Sequence, residues 1–440
     1  MKRKKKILII SAEVWRDDTN GGNTLTNLFG GIDAEFAQVY CNPGTPNNKI
    51  CRKYFQMTDF MMLNNFFRRT PTGKIFEYTD FPANLTLGDE RNTKKVEAFY
   101  SFFRTYRFGV FNLLREFLWK TANWKSDELK RFILDFNPDI IFAPLYGTHY
   151  MLRLDRYVSE LINKKLISFI SDDHYTLKQF SFSPFYWIDR FILRHNVKRM
   201  FCYCDLVYVM TQKQINEYKK YFYFNSKLLV KAGHFEGETD KKKVKKPILI
   251  VYAGNIFYGR WKTLSKMGDV IRKINKDGIR LQLNIYTQSY TTSKLRYKLN
   301  DDENIILNRA VNQQNLTKIY HDCDIALHVE SFDLKYKLLT RLSFSTKIID
   351  CMQSGRAVMA ICWKENAGYE YLKNEDAAIC IDNLDDIEVS LRNIVDNPDL
   401  IIEYSKKSWD CGKRNHQIKK IQKCIMDDFD DYIDKYCKKS

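Results

Sequence analysis

Short apolar runs, separated by stretches long enough for a helix, recur along this 440-residue chain. In the first half they occupy residues 6–11, 138–145, 165–171 and 205–211. Continuous apolar runs are typical of strands that a parallel sheet buries on both faces, and helical stretches between them indicate βαβ units. The first half therefore predicts a doubly wound α/β domain.

The same pattern restarts after a stretch that has little to bury. Residues 231–247, KAGHFEGETDKKKVKKP, are rich in glycine and lysine and predict a linker. The strand-like runs that follow are 248–253, 281–287, 304–309, 324–329, 357–362 and 377–381, with helices expected at about 263–276, 314–321 and 415–439. A second parallel α/β domain is the natural expectation.

Chain length supports two domains, because a single hydrophobic core rarely grows beyond ~250–300 residues. We predict an N-terminal Rossmann-like domain over residues 1–235, a linker at 236–247, a C-terminal Rossmann-like domain over 248–414 and a terminal helix over 415–440. Open sheets of this kind bind ligands at the carboxyl ends of their strands. We therefore expect the two domains to face a cleft.

The charge balance favours an anionic partner. The chain has 71 Lys and Arg against 53 Asp and Glu, a net charge of +18, which would attract nucleic acid, lipid head groups or a phosphorylated substrate. The basic residues are dispersed and form no known nucleic-acid-binding signature, so nucleic acid is not predicted as a partner.

Cysteine spacing and hydropathy bear on location. The 11 cysteines form no CxxC pair and no regular framework, which favours reduced thiols. No apolar run approaches the ~18 residues of a spanning helix. We expect a cytoplasmic protein, with attachment to the inner face of the membrane as an open alternative.

One stretch, SFSTKIIDCMQSGRAVMAI at 343–361, predicts a helix over 345–354 with two different faces. The apolar face carries Ile348, Ile349 and Met352, and the polar face carries Thr346, Asp350 and Ser354 with Lys347 beside them. Hydroxyl groups and free N–H groups at a helix start suit a phosphate, and a carboxylate farther along suits ribose hydroxyls. An ordinary amphipathic helix that ends at Gly355 is an equally weighted alternative.

This stretch resembles the nucleotide-sugar segment of GT-B glycosyltransferases, particularly the retaining group 1 or family 4 superfamily, with its pattern P-x-K-x-x-E-Y-x-x-x-G-x-P-V-V. Asp350 falls five residues before Gly355, where that family has a glutamate on the nucleotide ribose. The family's earlier glutamate corresponds to Leu342 and its proline to Ala357. The resemblance implies a nucleotide-sugar contact for Ser345, Thr346, Lys347 and Asp350, and a terminal helix that braces the first domain.

A second segment, YAGNIFYGRWKTL at 252–264, resembles the family's loop after the first strand of the nucleotide domain. There Gly254 and Asn255 would form the turn, and Arg260 and Lys262 would hold the donor diphosphate. Fixed cations stabilise the negative charge that a leaving diphosphate gains. Two solvated loop cations are the alternative.

The resemblance extends to a glycine-rich segment near the start of the chain and to the region that ends at Glu330. TNGGNT at 19–24 resembles the glycine-rich loop that closes on donor phosphate and acceptor, which assigns Gly21 and Gly22 to the donor site. A simple tight turn explains the glycine pair equally well. Glu330 ends the run 324–329, and a solvated loop acid is the favoured interpretation of it.

Polar side chains also follow two strands of the first domain. Asp172, Asp173 and His174 come after the run 165–171, and His149 follows 138–145. Polar clusters at strand ends are common in α/β enzyme sites. We assign His149 and Asp172 to acceptor binding and Asp173 or His174 to the role of a base, and no metal site is predicted because the spacing fits none.

Residues 98–121 combine aromatic and arginine side chains at helical spacing. Such a helix can lie on an anionic bilayer surface. A core helix with solvated arginines is the favoured interpretation.

These residues together predict a glycosyltransferase that moves a sugar from a nucleotide donor, such as a UDP- or GDP-sugar, to a hydroxyl of a glycan or lipid-linked glycan, with surface polysaccharide synthesis as the setting. A retaining mechanism, which the resemblance implies, would need no strong base, and an inverting one would need Asp173 or His174. Neither requires a metal or other cofactor. The alternatives are a GT-B-type epimerase or phosphorylase and a non-catalytic protein that binds nucleic acid or a membrane surface.

Overall fold

The chain forms two compact units, each built around one sheet. Unit 1 contains residues 1–229 and 422–440, and unit 2 contains residues 230–421. The residues that the computed structural model describes are 3–17, 20–77, 109–239 and 243–437.

Unit 1 contains an eight-stranded sheet with the order β4-β3-β2-β1-β5-β6-β7-β8. Its strands are β1 (Lys5–Ser11), β2 (Ala34–Tyr40), β3 (Lys53–Gln56), β4 (Lys74–Glu77), β5 (Ile140–Pro144), β6 (Leu166–Ile170), β7 (Cys204–Val209) and β8 (Ser226–Leu228). Every pair is parallel except β3 with β4. The four apolar runs predicted as strands are β1, β5, β6 and β7, which confirms that prediction, and their side chains are mostly buried.

Seven helices of unit 1 lie among the described residues. They are α1 (Asn20–Phe29), α2 (Asp59–Arg68), α3 (Gly109–Thr121), α4 (Asp127–Phe136), α5 (His149–Leu161), α6 (Pro184–Phe201) and α7 (Gln212–Tyr218). Most begin with the expected capping chemistry: Thr58, Ser126, Ser183 and Thr211 each accept a hydrogen bond from a backbone N–H of the first turn.

Unit 2 contains a six-stranded, all-parallel sheet with the order β11-β10-β9-β12-β13-β14. Its strands are β9 (Ile248–Ala253), β10 (Leu281–Thr287), β11 (Ile305–Arg309), β12 (Ile325–Val329), β13 (Ala357–Ile361) and β14 (Ile379–Ile381). All six predicted runs are strands, shifted by no more than two residues. The order is that of a Rossmann sheet: β10 and β11 are added on one side of β9, and β12, β13 and β14 on the other. This switch between β9 and β12, the reversal point of the sheet, leaves a crevice at the carboxyl ends of the two strands.

Helices flank this second sheet as well. They are α8 (Arg260–Ile274), α9 (Ser293–Leu299), α10 (Gln313–Asp322), α11 (Leu334–Thr340), α12 (Lys347–Gln353), α13 (Ala367–Asn374), α14 (Ile387–Asp396), α15 (Asp399–Asn415) and α16 (Ile418–Cys437), with short 3-10 turns at Asn275–Asp277 and Leu384–Asp386. Apolar residues of α8, α9, α14 and α15 and of the six strands share one buried core.

The last helix, α16, contributes its residues from 422 onward to unit 1. Phe429 is fully buried and stacks on Phe29 with ring centroids 6.3 Å apart. Tyr208 donates a hydrogen bond to Asp428 at 2.7 Å, and the Tyr432 hydroxyl donates to the Lys165 carbonyl at 2.7 Å. These contacts bury the apolar face that the sequence requires the helix to cover.

The start of the lysine-rich stretch is packed rather than extended. Phe235 is fully buried and its ring lies 5.2 Å from that of Trp409. A side chain at Gly412 would collide with Phe235, whose ring atoms lie 2.2 Å from the position of an added Cβ. Residues 230–235 therefore belong to unit 2.

Among the described residues, no helix combines the length and the apolar character needed to cross a bilayer.

Candidate functional site

Arg260 and its neighbours lie where β9 ends and α8 begins. Gly259 has φ +77°, a left-handed conformation that turns the chain into the helix, and an added Cβ there would lie 2.3 Å from Ser331 Oγ. The helix begins at Arg260, three residues before the predicted start. Arg260 and Lys262 therefore lie on the first helical turn and not in a loop, because the turn is completed at Gly259.

The guanidinium of Arg260 is held from two sides. Its Nε and Nη2 donate to the two carboxylate oxygens of Glu330 at 3.1 and 2.8 Å, and Nη1 donates to Asn255 Oδ1 at 2.8 Å. The side chains of Arg260 and Glu330 are only 14% and 5% exposed. A bidentate pair of this kind fixes both position and orientation of the guanidinium.

Glu330 is not the solvated loop acid that the sequence favoured. It follows β12 directly, is buried, and its carbonyl accepts a hydrogen bond from Thr263 Oγ1 at 2.8 Å. Burying a lone carboxylate is costly, so an acid this deep requires a cation beside it. Glu330 thus ties the first turn of α8 to the end of β12, across the reversal point of the sheet.

His328, on β12, is buried next to this pair, with Nε2 3.9 Å from Glu330 Oε1. Burial, together with the charges of Arg260 and Lys347, lowers the pKa of His328 to about 3. The imidazole is therefore neutral at physiological pH and adds no positive charge to the site.

Lys347 brings a second cation to the end of β9. An added Cβ at Gly254 would lie 1.9 Å from Lys347 Nζ, so the ammonium occupies the space that the glycine leaves open. The group also lies 5.8 Å from the centre of the Tyr252 ring. No carboxylate among the described residues lies within ion-pair distance of it, although Glu330 and Asp350 act on it electrostatically.

Burial and the neighbouring charge of Arg260 lower the pKa of Lys347 to about 8. Glu330 neutralises Arg260, so the half-buried ammonium without an ion pair leaves one net positive charge here, which an anion would neutralise. We call Arg260, His328, Glu330 and Lys347 the cationic cluster. It lies at the carboxyl ends of β9 and β12, where Rossmann sheets bind ligands.

Lys262 points elsewhere. Its Nζ is 2.7 Å from Asp333 Oδ2 in a pair whose side chains are 52% and 37% exposed. Exposed pairs of this type contribute little. The structure therefore gives the second cation of the site as Lys347, and Lys262 lies at the surface on the same turn as Arg260.

Helix α12 has the two faces that the sequence predicts, but it is shorter. It covers Lys347–Gln353, and its buried residues are Ile348, Ile349, Cys351 and Met352. Ser345 and Thr346 precede it half-buried, and Thr346 has helical backbone angles and makes no side-chain cap. Gly355 at φ +67° ends the helix as predicted.

Asp350 already has a protein partner. Lys231 Nζ lies 2.5 Å from its Oδ1, and the two side chains are 14% and 27% exposed, Lys231 being the less exposed. The contact anchors the stretch before β9 to α12. A ribose hydroxyl at Asp350 would share the carboxylate with Lys231.

In unit 1, Asp173 is engaged by the fold. Its Oδ1 accepts hydrogen bonds from the backbone N–H groups of Tyr175 and Thr176 at 3.1 and 2.9 Å, and Oδ2 accepts one from the Thr176 hydroxyl. Arg190 lies 3.6 Å away in a pair that is almost fully buried. Both oxygens are occupied in shaping the turn after β6, which argues against Asp173 as a base.

His174 is a better candidate for that role. Its imidazole lies above Gly147, where an added Cβ would be 2.7 Å from Nδ1. Burial lowers the pKa of His174, and the charge of the nearby Asp172 raises it by a smaller amount. The imidazole is thus neutral and able to accept a proton, while Asp172 is exposed beside it.

His149 begins α5 and is buried against α6. Its Nε2 lies 2.8 Å from Asp189 Oδ1, and Asn196 Nδ2 lies 3.1 Å from its Nδ1. Both ring nitrogens are used inside unit 1. An acceptor contact by His149 would require one of these bonds to open.

Gly21 and Gly22 lie in the first turn of α1 and not in the predicted loop.

Sequence reasoning missed three residues of these sites: His328, Lys231 and Arg190. Lys231 and Arg190 have partners on other elements, as in the pair between Lys231 and Asp350, which are 119 residues apart. His328 lies near Arg260 and Lys347, which come from other elements. Glu330 is buried and paired with Arg260, so the interpretation as a solvated loop acid is wrong. Its position directly after a predicted buried strand was the available signal.

Comparison with solved structures shows which fold this is. Sucrose-phosphate synthase from Thermosynechococcus elongatus superimposes with a TM-score of 0.63 at 11% identity, over 97% of this chain and 99% of that one. Anabaena HepE in complex with UDP gives 0.62 at 10% identity over 97% and 100%, and an E. coli structure described as trehalose-6-phosphate bound with UDP-2-fluoro glucose gives 0.58 at 10% over 97% and 99%. The chain has the GT-B fold.

This assignment confirms the predicted fold class of two Rossmann-like parallel-sheet domains. No protein-family profile and no curated protein sequence matches the chain. Because the solved structures are only 10–11% identical to this chain, their likeness establishes its fold and nothing further.

Proposed function

We propose that the chain is a glycosyltransferase that binds a nucleotide-sugar through unit 2 and transfers the sugar to a hydroxyl of a glycan or lipid-linked glycan, as in the synthesis of a surface polysaccharide. The observation that carries the proposal is the cationic cluster at the reversal point of the unit 2 sheet, with the ammonium of Lys347 unpaired over Gly254 among the described residues. The GT-B fold supports it, since solved structures with that fold are described as containing UDP or a UDP-sugar.

The chemistry of the cluster suits a departing diphosphate. When the bond between the sugar and the diphosphate breaks, negative charge accumulates on the phosphate oxygens, and fixed cations lower the energy of that state. Arg260 is held in place by Glu330 and Asn255 before any ligand binds, so its orientation costs nothing during the reaction. Lys347 supplies the charge that has no ion-pair partner among the described residues.

The remaining donor contacts follow from α12. Ser345 and Thr346 precede Lys347 and would offer hydroxyl groups to the phosphates, and Asp350 would accept a hydrogen bond from a ribose hydroxyl while it keeps Lys231. Gly254 and Asn255 follow β9, and the space that the glycine leaves open holds the Lys347 ammonium at the point where the diphosphate would bind.

We infer a retaining reaction from the resemblance of the α12 segment. The acceptor hydroxyl would then attack on the face that the diphosphate leaves, and a phosphate oxygen would take its proton, so that no strong base is required. In an inverting reaction a base must take the proton, and His174 is the unit 1 residue whose neutral imidazole suits this role. The anomeric configuration of the product, read by NMR, distinguishes the two.

The proposal assigns charge stabilisation to side chains and requires no metal or other cofactor. Donor binding and transfer should persist in excess EDTA. Loss of both in EDTA, with recovery on adding Mg²⁺ or Mn²⁺, would contradict this part of the proposal.

The experiment that tests the function is a thermal-unfolding screen with UDP-, GDP-, dTDP- and CMP-sugars. A ligand present at 100 times its dissociation constant stabilises the protein by about 2.7 kcal/mol. We expect one diphosphate sugar class to raise the midpoint of the wild-type protein and not that of Lys347→Met. A wild-type protein that no nucleotide-sugar stabilises would refute the proposal, and consumption of a donor without any acceptor would favour an epimerase.

A further inference from the structure

Three neighbouring helices of unit 1 expose large apolar side chains. Helix α3 packs beside both α2 and α6, and the contacts include Arg115 with Asp59 at 2.9 Å and Asn112 with Asp189 at 3.2 Å. The exposed apolar residues on the three helices are Phe60, Phe66, Phe67, Leu114, Phe117, Phe185, Ile188, Phe191 and Ile192. We call this set the aromatic face.

Helix α6 shows that this exposure follows a pattern. Its outward positions repeat every three or four residues, and the first half of them is apolar and the second half basic. In order along the helix they are Phe185, Ile188, Phe191, Ile192, His195, Lys198 and Arg199. Apolar residues that serve only to pack a helix against its own domain would point inward. The outward apolar residues of α6 are therefore not explained by packing within unit 1.

The charges on the three helices are sorted by sign. Each helix has a single acidic residue, and each of these is turned inward to a partner: Asp59 with Arg115, Glu116 with Arg153, and Asp189 with His149. The outward charged residues are all basic: Arg68, Lys120, Lys198 and Arg199. The face therefore carries apolar residues along the three helices and basic residues in their last turns.

The end of α2 concentrates both properties. Phe66, Phe67, Arg68 and Arg69 follow one another and are all exposed, Phe67 by 72%. Beside them a surface cleft of about 400 Å³ opens between the ends of α2 and α3, with Phe66 and Arg69 in its lining. A guanidinium at the mouth of a cleft suits a phosphate-bearing head group.

We propose that the aromatic face docks unit 1 on the surface of an anionic lipid bilayer. Aromatic side chains of this kind enter the boundary between head groups and acyl chains, while Lys and Arg at the rim pair with anionic head groups. Most residues of the aromatic face lie on α2 and α6. The 98–121 segment contributes only through α3, since residues 98–108 lie outside the described residues. The proposal stands apart from the donor site and does not depend on glycosyl transfer.

The test is sedimentation of the purified full-length protein with vesicles of phosphatidylcholine alone or of phosphatidylcholine with 30% phosphatidylglycerol. We expect binding to the anionic vesicles only, and weaker binding as salt is raised. Arg68→Gln with Arg69→Asn should lower the partition coefficient by about 25-fold, since each lost charge near the surface costs about fivefold, or about 1 kcal/mol. Asn suits the left-handed backbone of Arg69, whose φ is 52°.

A second variant isolates the apolar part. Phe66→Ser with Phe67→Ser should reduce binding at both low and high salt, whereas the matched control Tyr290→Ser with Tyr297→Ser, two aromatics of unit 2 that are 81% and 86% exposed, should bind like wild type. Thermal unfolding followed by circular dichroism establishes that each variant is folded.

Three outcomes would overturn the proposal. They are equal binding to neutral and anionic vesicles, no binding to either by the folded protein, and a stable dimer by light scattering that the Phe66 and Phe67 substitutions dissociate. The last outcome would assign the face to a second copy of the chain.

Discussion

The ammonium of Lys347 should give donor binding a measurable dependence on pH. Burial and the charge of Arg260 lower the pKa of this lysine from 10.5 to about 8. The group is therefore mostly charged at pH 7 and loses its proton as the pH rises through about 8. Since the diphosphate of a nucleotide-sugar binds the charged form, affinity should be constant below that pH and fall above it.

The magnitude follows from the protonated fraction. At about pH 9 only about a tenth of Lys347 would be charged in the free protein, so the apparent dissociation constant for the nucleotide-sugar that the unfolding screen identifies should rise about tenfold between pH 7 and pH 9. Lys347→Met should bind about tenfold to a hundredfold more weakly at pH 7, the range for a hydrogen bond to a charged group, and should lose the pH dependence. Lys347→Arg keeps its charge throughout and should show a flat profile.

Isothermal titration calorimetry with that nucleotide-sugar, in buffers matched for ionic strength, measures these constants. Lys266→Met is the matched control, because Lys266 lies on the same helix as Arg260 but is 47% exposed and only loosely paired. It should bind like wild type at every pH. A wild-type affinity that stays constant to about pH 9, or one that falls equally in Lys347→Arg, would refute the reasoning.

Four further predictions address the remaining parts of the account. Glu330→Ala should lower the free energy of unfolding by about 3–5 kcal/mol, because the buried Arg260 guanidinium then has no counter-charge. The double change Arg260→Met with Glu330→Leu should lower it by less, and urea denaturation measures both values. Asp350→Asn should weaken nucleotide affinity more than Lys231→Met does; equal effects would mean that the pair acts only as an anchor. His174→Gln should leave turnover within about threefold of wild type if the product retains its configuration, and a loss of about a hundredfold or more would indicate a base. Activity measured in excess EDTA should equal that measured with added Mg²⁺.

The fold was largely predictable because its central strands are buried on both faces. β1, β5, β6 and β7 and all six strands of unit 2 are continuous apolar runs, which single them out in the sequence. β3, β4 and β8 are only three or four residues long, and β4 and β8 lie at the sheet edges with mostly exposed or half-buried side chains. Such strands are defined by their hydrogen-bonded neighbours, which local sequence does not specify.

The candidate site was predictable only where local pattern decides it. The two faces of α12 and the stop at Gly355 depend on spacing along one helix. The environment of Glu330 depends on Arg260, 70 residues away, and sequence alone does not reveal that they meet. For Asp173 a local signal existed, because an Asp followed three residues later by Thr often closes a side-chain turn.

The central claim is that the cationic cluster of unit 2 holds the diphosphate of a nucleotide-sugar. A crystal structure with the nucleotide-sugar from the unfolding screen bound tests it most directly. We expect a β-phosphate oxygen at about 2.7–3.2 Å from Lys347 Nζ, with the guanidinium of Arg260 beside it. A nucleotide-sugar whose phosphates lie more than about 6 Å from both side chains would contradict the claim.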